Sequence, residues 1–145
     1  MNRDNWTIYQ DDIRNTTGYQ YQDINCVEPD IHNPNHVFAS GRTGLYEFTD
    51  GKLTHYYNKD NSILEAAVDR GTVLDNNYVL VHSLLSDENG KLWILNSQAT
   101  HRSIIEMKDN QLIAHDQKTL NANGYSLSAM TGLMKDGRGQ AVVCE

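Results

Sequence analysis

The sequence predicts an all-β chain: a β-propeller segment of about two to three four-stranded antiparallel blades, too few to close a ring on its own. Three observations predict it. Short β-prone runs are cut by Asn, Asp and Gly, with almost no helical periodicity between them. Two kinds of hairpin alternate along the chain. Each kind recurs at roughly 50 residues, the length of one four-stranded blade.

The first kind is clearest at Leu84-Leu85-Ser86-Asp87-Glu88-Asn89-Gly90-Lys91-Leu92-Trp93-Ile94-Leu95, two apolar runs around a polar turn containing Asn-Gly. An earlier copy runs from Val27-Glu28-Pro29-Asp30 through Asn33-Pro34-Asn35 into His36-Val37-Phe38-Ala39, with Phe38 standing 55 residues before Trp93. A later copy, Leu133 to Val143, puts Val142 in the same place 49 residues on. The second kind is Leu45-Tyr46-Glu47-Phe48-Thr49-Asp50-Gly51-Lys52-Leu53-Thr54-His55-Tyr56. Its pattern returns residue for residue 59 positions later, from Ile104 to His115, so that Glu47 matches Glu106, Asp50 matches Asp109 and Leu53 matches Leu112. Trp6-Thr7-Ile8-Tyr9 resembles the strand Leu53 to Tyr56.

These matches place the outer strand of a preceding blade at 6–10, one blade at 23–57, a second at 79–116 and the start of a third at 127–145. Between the blades, Ser62 to Val68 has the pattern of a two-turn helix, with Ser62 as N-cap and Glu65 closing a capping box. The open blade edges imply a segment of a larger propeller, or one that closes by pairing with other copies of the chain.

At 145 residues, 39% hydrophobic and 21% charged, the chain has the composition of one globular domain rather than a disordered tail. No apolar run approaches the ~20 residues that span a bilayer, so no direct membrane insertion is expected. A net charge of -7 argues against a nucleic-acid partner and against anionic membrane surfaces. Met1 to Asn5 lacks the apolar core of a signal peptide, which leaves a cytosolic protein, a chain whose leader has been removed, or an excised piece. Cys26 and Cys144 sit in no metal-ligand spacing and are expected as buried strand thiols.

The stretches Val37-Phe38-Ala39-Ser40-Gly41, Gly44-Leu45-Tyr46-Glu47-Phe48, Gly51-Lys52-Leu53 and Asp87-Glu88-Asn89-Gly90-Lys91-Leu92-Trp93 resemble the two-component regulator propeller repeats of Bacteroidetes proteins. Such repeats are familiar in the periplasmic regions of hybrid two-component kinases and in PorZ-like propellers of the type IX secretion system. The run from Tyr56 to Leu64 is more similar to the PorZ type. The resemblance implies a non-catalytic propeller in the periplasm or at the cell surface, without a cofactor and without catalytic residues to carry over.

Strand order divides the connections between two faces. Turns from first to second and from third to fourth strand share one, and their Asp, Asn and Gly are explained by turn geometry. The alternating oxygen spacing of a calcium loop is missing there. The opposite face carries the longer connections: Gly41 to Gly44, Asn96 to Arg102, and the inter-blade segments 58–77 and 117–126. Arg42, Arg70, Gln98, His101 and Arg102 are therefore the candidate binding residues, for a carboxylate, a glycan or a peptide terminus. Solvated loop charge is the competing reading.

The six histidines show no metal-site pairing, and neither Ser40 nor Ser97 sits in a nucleophile elbow. His55 and His115 fall at nearly equivalent places on outer strands and read as structural. Phe38 and Trp93 read as packing between blades. The expected function is a binding or assembly module for a protein or glycan, which also meets the rest of its own propeller or other copies of the chain. Ligand sensing in a hybrid kinase is one alternative. A polysaccharide lyase or glycosidase is another, with Glu65 and Asp69 as its carboxylates.

Overall fold

A computed structural model describes residues 13–18, 23–75, 77–118 and 132–144. The expected strand at 6–10, most of the connection 117–126 and the first positions of the third blade, 127–131, lie outside the described residues. Strands β1 (Cys26–Pro29), β2 (His36–Gly41), β3 (Gly44–Thr49) and β4 (Lys52–Tyr57) form one antiparallel sheet in chain order. A two-stranded ribbon follows, β5 (Val68–Asp69) and β6 (Thr72–Val73). The second blade is β7 (Val81–Ser86), β8 (Leu92–Asn96), β9 (Ile104–Lys108) and β10 (Gln111–His115), again in chain order. Finally β11 (Gly132–Lys135) pairs with β12 (Ala141–Cys144). Among the described residues the fold is all-β apart from one five-residue helix, α1 (Ile13–Thr17), and the described sheets do not close into a ring.

Turn chemistry explains the hairpins. Asp50 and Gly51 have φ of 50° and 79°, and Asp109 and Asn110 have 49° and 60°. Positive φ at both central residues matches the right-handed twist of the flanking strands, and Asn, Asp and Gly tolerate it best. In the other hairpins a single carboxylate organises the turn. Asp87 Oδ1 accepts the Asn89 and Lys91 N–H groups at 2.8 and 3.0 Å, and Asp136 Oδ1 accepts those of Arg138 and Gln140 at 2.8 and 2.9 Å. Asp30 Oδ1 accepts the His32 N–H at 2.8 Å.

The repeat holds in register. Phe38 lies opposite Glu47 and Trp93 opposite Glu106. One departure is a bulge at Thr54, whose hydroxyl donates to the Glu47 carbonyl at 3.1 Å. Beyond it, the residue-for-residue match slips by one. Tyr57 faces Leu45 just as His115 faces Ile104, so His115 corresponds to Tyr57 rather than to Tyr56.

Blade one turns Phe38, Leu45 and Tyr57 toward Leu92, Ile94, Ile105 and Met107 of blade two, and these side chains form one core. Behind blade one, Tyr46 and Phe48 pack with Ile13 of α1. Beyond blade two, Leu95 and Ile104 meet Leu133 and Val143 with Trp93 against them, so Trp93 does pack between blades. The innermost strands β1, β7 and β11 lie side by side. Side chains stitch them together. Glu28 Oε1 accepts the Ser86 N–H at 2.7 Å, and Ser83 Oγ accepts the Leu133 N–H at 3.0 Å.

The helix expected over Ser62 to Val68 does not form. The Glu65 N–H donates to the Asn96 side-chain carbonyl at 2.7 Å, Ala67 N–H donates to the Tyr78 carbonyl at 2.7 Å, and Val68 begins β5. Partners distant in sequence satisfy this backbone, so a short, marginal helix loses the competition. Cys26 lies on β1, half-buried rather than buried, and its surroundings push the thiol pKa up through desolvation.

Candidate functional site

At the end that carries the long connections, the loop 97–103 between β8 and β9 folds onto the segment 63–68. Glu65 Oε2 accepts the backbone N–H groups of both His101 and Arg102, at 2.8 and 2.9 Å. The Arg102 guanidinium donates to the Ile63 carbonyl at 3.1 Å, and the Gln98 carbonyl accepts the Val68 N–H at 3.0 Å. Gln98 itself has φ of 58° and is buried, and its Oε1 meets no partner among the described residues. The His101 ring stays in solvent, 74% exposed, with Nδ1 3.6 Å from Glu65 Oε1. Arg70, exposed at φ 49°, occupies the turn of the ribbon that Gln98 anchors.

Four of the five residues singled out in the sequence thus belong to one assembly: Gln98, His101 and Arg102 directly, and Arg70 through Val68. Arg42 belongs to another. Its guanidinium lies 3.2 Å from Asp23 and 5.8 Å from the centre of the Tyr78 ring. Its neighbour Thr43 bridges in parallel to Val79, which ties the β2–β3 turn to the entry of blade two. Asp69, offered with Glu65 as a carboxylate pair, lies in β5, while Glu65 is occupied by the loop.

Glu65→Ala is expected to leave both blades folded at a cost of about 1–2 kcal/mol, because two N–H groups lose a charged acceptor at a partly solvated site. Amide exchange in 97–103 should accelerate well beyond that in β7–β10. Equal acceleration throughout blade two would show that Glu65 supports the sheet and not the loop.

Two cavities lie elsewhere, in the seams between successive blades near the tight turns. One of about 170 Å³ is bounded by Asp30, His36 and Phe38 of blade one and by Leu92, Met107 and Asn110 of blade two. The corresponding seam after blade two holds about 530 Å³, with Asp87, Trp93 and Ile104 on one wall and Leu133, Ala141 and Val143 on the other. None of Arg42, Arg70, Gln98, His101 and Arg102 lines either seam.

Behind each seam stands a buried glutamate, Glu47 in blade one and Glu106 in blade two, whose partners the repeat pattern alone does not reveal. Glu47 meets His36 Nε2 at 2.7 Å and accepts the Tyr57 hydroxyl at 2.8 Å. Burial, together with the adjacent carboxylate, drives the Tyr57 pKa far above its ordinary value. Glu106 accepts from Lys91 Nζ at 3.0 Å and lies 3.2 Å from His115 Nε2. Lys91 in particular holds the Glu106 carboxyl below the usual range. Asp87 is likewise held low: the Lys91 N–H and the Trp93 indole N–H at 3.0 Å outweigh its desolvation. Among the described residues no cluster of His, Cys, Asp and Glu is arranged to hold a metal ion.

Comparison with protein-family models finds no match, and neither does comparison with curated proteins. Among solved structures the chain is similar in fold to a stretch of PorZ from Porphyromonas gingivalis, described as an essential bacterial surface component of the type IX secretion system. The TM-score is 0.68 at 18% identity, over 90% of this chain and 17% of PorZ.

Proposed function

We propose that the chain is a non-catalytic propeller module of a surface-exposed or exported protein, and that it binds a carboxylate-bearing protein or glycan at its long-connection end. The fold shared with part of PorZ supports a secretion-associated setting, and the chain spans 17% of PorZ's length. The observation that carries the binding reading is the Glu65 clasp. It spends a carboxylate on shaping the loop 97–103, which leaves His101 in solvent at a position offset from the sheets. Arg70 adds positive charge at the same end of a chain whose net charge is -7, and Arg42, paired with Asp23, adds a guanidinium donor there. Apolar Met134 and Val142, 53% and 39% exposed on the third hairpin, offer a further contact surface for the rest of a propeller or for another copy of the chain.

The test is binding of immobilised chain to an acidic glycan array and to surface-protein extracts. The triple variant Arg42→Glu, Arg70→Glu, His101→Glu should weaken capture by tenfold or more. Reversal of Lys52 and Lys108, at the tight-turn end, should leave it unchanged. Equal loss from both sets would indicate a non-specific charge effect and sink the assignment. Turnover of an acidic polysaccharide that disappears in Glu65→Ala would favour the enzyme reading instead.

A further inference from the structure

The buried glutamates share one architecture but differ in the cation that meets them. His36 and Lys91 stand at the same step of the repeat, each two residues before the aromatic Phe38 or Trp93. A lysine side chain is ordinarily a permanent cation near neutral pH, whereas an imidazole titrates there. His36 also has a second carboxylate: Nδ1 lies 2.9 Å from Asp30 Oδ2 while Nε2 lies 2.7 Å from Glu47 Oε1. A neutral imidazole has one N–H and one lone pair. With a carboxylate oxygen on each nitrogen, both contacts are attractive only when the ring is protonated.

The two carboxylates are not equally replaceable. Glu47 is 10% exposed at its side chain and also receives Tyr57, so leaving it without a cationic donor inside the sheet is costly. Asp30 is 29% exposed and begins the connection 30–35, whose residues 31–35 are all exposed. On losing a proton the ring keeps Nε2–H for Glu47 and turns a lone pair toward Asp30.

We propose that His36 is a proton-gated latch on the seam between the blades. Protonated, it ties the β1–β2 connection to β3 and closes the rim of the 170 Å³ cavity. Deprotonated, it releases Asp30 and frees residues 30–35 to move away from blade two. In the equivalent seam after blade two the β7–β8 connection is tied to Glu106 by Lys91, and the imidazole that reaches Glu106 there, His115, comes from the outer strand β10 and not from that connection.

Other titratable groups surround the latch. Across the cavity, Lys108 and Asp109 come from the β9–β10 turn. His32 lies against Gly90, and the His55 ring is 4.2 Å from that of Tyr57. Burial by itself pushes His36 toward the neutral form, but Asp30 and Glu47 outweigh it and raise the pKa above the ordinary 6.5. Asp30 is held below its ordinary value: His32 N–H and His36 overcome its desolvation. The His36 contribution to stability is therefore complete below its unfolded pKa and disappears as pH rises through the raised folded value. The Asp30 contribution is complete above its unfolded pKa and disappears as pH falls through the lowered folded value. The latch is closed between those two limits.

The test is amide hydrogen exchange on the full chain from pH 5 to 9, corrected for intrinsic rates, alongside an NMR titration of the His36 ring. Exchange in 30–36 should rise at least tenfold through the His36 midpoint, with no step in 87–91. His36→Lys, which copies blade two, should abolish the step. Should that variant fail to fold, Asp30→Asn at the exposed end of the contact should abolish it instead. A flat profile in 30–36 overturns the proposal. So does a step that survives either substitution, since it would then belong to His32 or His55.

Discussion

Glu47→Ala is expected to lower the free energy of unfolding by about 3 kcal/mol, the lower end of the cost of breaking a buried charge pair. The lower end applies because His36 is 21% exposed and keeps Asp30 as a partner. What remains uncompensated is the Tyr57 hydroxyl, buried beside Phe38 and Leu45 with its acceptor removed. Glu47→Gln keeps an acceptor for Tyr57 and should cost about half as much. Glu106→Ala should cost about 1–2 kcal/mol, because Lys91 and His115, 32% and 38% exposed, can turn to water. Urea unfolding of the three variants checks the order. A larger loss in Glu106→Ala than in Glu47→Ala would mean that solvent access to the cationic partners does not set the cost.

Ile105→Ala should cost about 3–4 kcal/mol, within the range for deleting a fully buried branched side chain. Ile105 has no exposure and belongs to the core shared by the two blades. Ile113, on the outer strand of the same blade and 51% exposed, is the control, and Ile113→Ala should change stability by under ~0.5 kcal/mol. The shared core makes a further point testable by thermal or urea unfolding. Phe38 and Leu45 come from one sheet and Ile94, Ile105 and Met107 from the other, so both blades should unfold in one transition that Ile105→Ala shifts as a whole. Two transitions, only one of them moved, would show that the seam is an interface rather than a core.

Much of the architecture was legible because it rests on local chemistry. Asp50-Gly51 and Asp109-Asn110 form hairpin turns because neighbouring residues accept positive φ. Asp87 and Asp136 form theirs by capping N–H groups two and four residues on. Equivalence between Phe38 and Trp93, and between Glu47 and Glu106, came from alignment and reappears as identical cross-strand pairing. Even the inference that Trp93 packs between blades follows from its bulk at a position where the other copies carry Phe38 and Val142.

The functional groups were less legible, because a side chain's partner depends on what the fold brings to it. Glu65 looked like half of a capping box four residues long, yet its carboxylate reaches His101 and Arg102, 36 and 37 residues away. Thr54 gave no sign that it would bulge and so bring Tyr57, not Tyr56, onto Glu47. Nor did the pattern of His36 reveal that both ring nitrogens would face carboxylates, since Asp30 arrives from the β1–β2 connection and Glu47 from β3.

By itself, then, the sequence determined the strands, their turns and their repetition, since these depend on φ preferences and alternation within a few residues. Only the tertiary structure decided where the seams open, which cations meet the buried glutamates and which loop Glu65 clasps. Burial and long-range pairing set the energy of a charge, and neither exists until the blades pack.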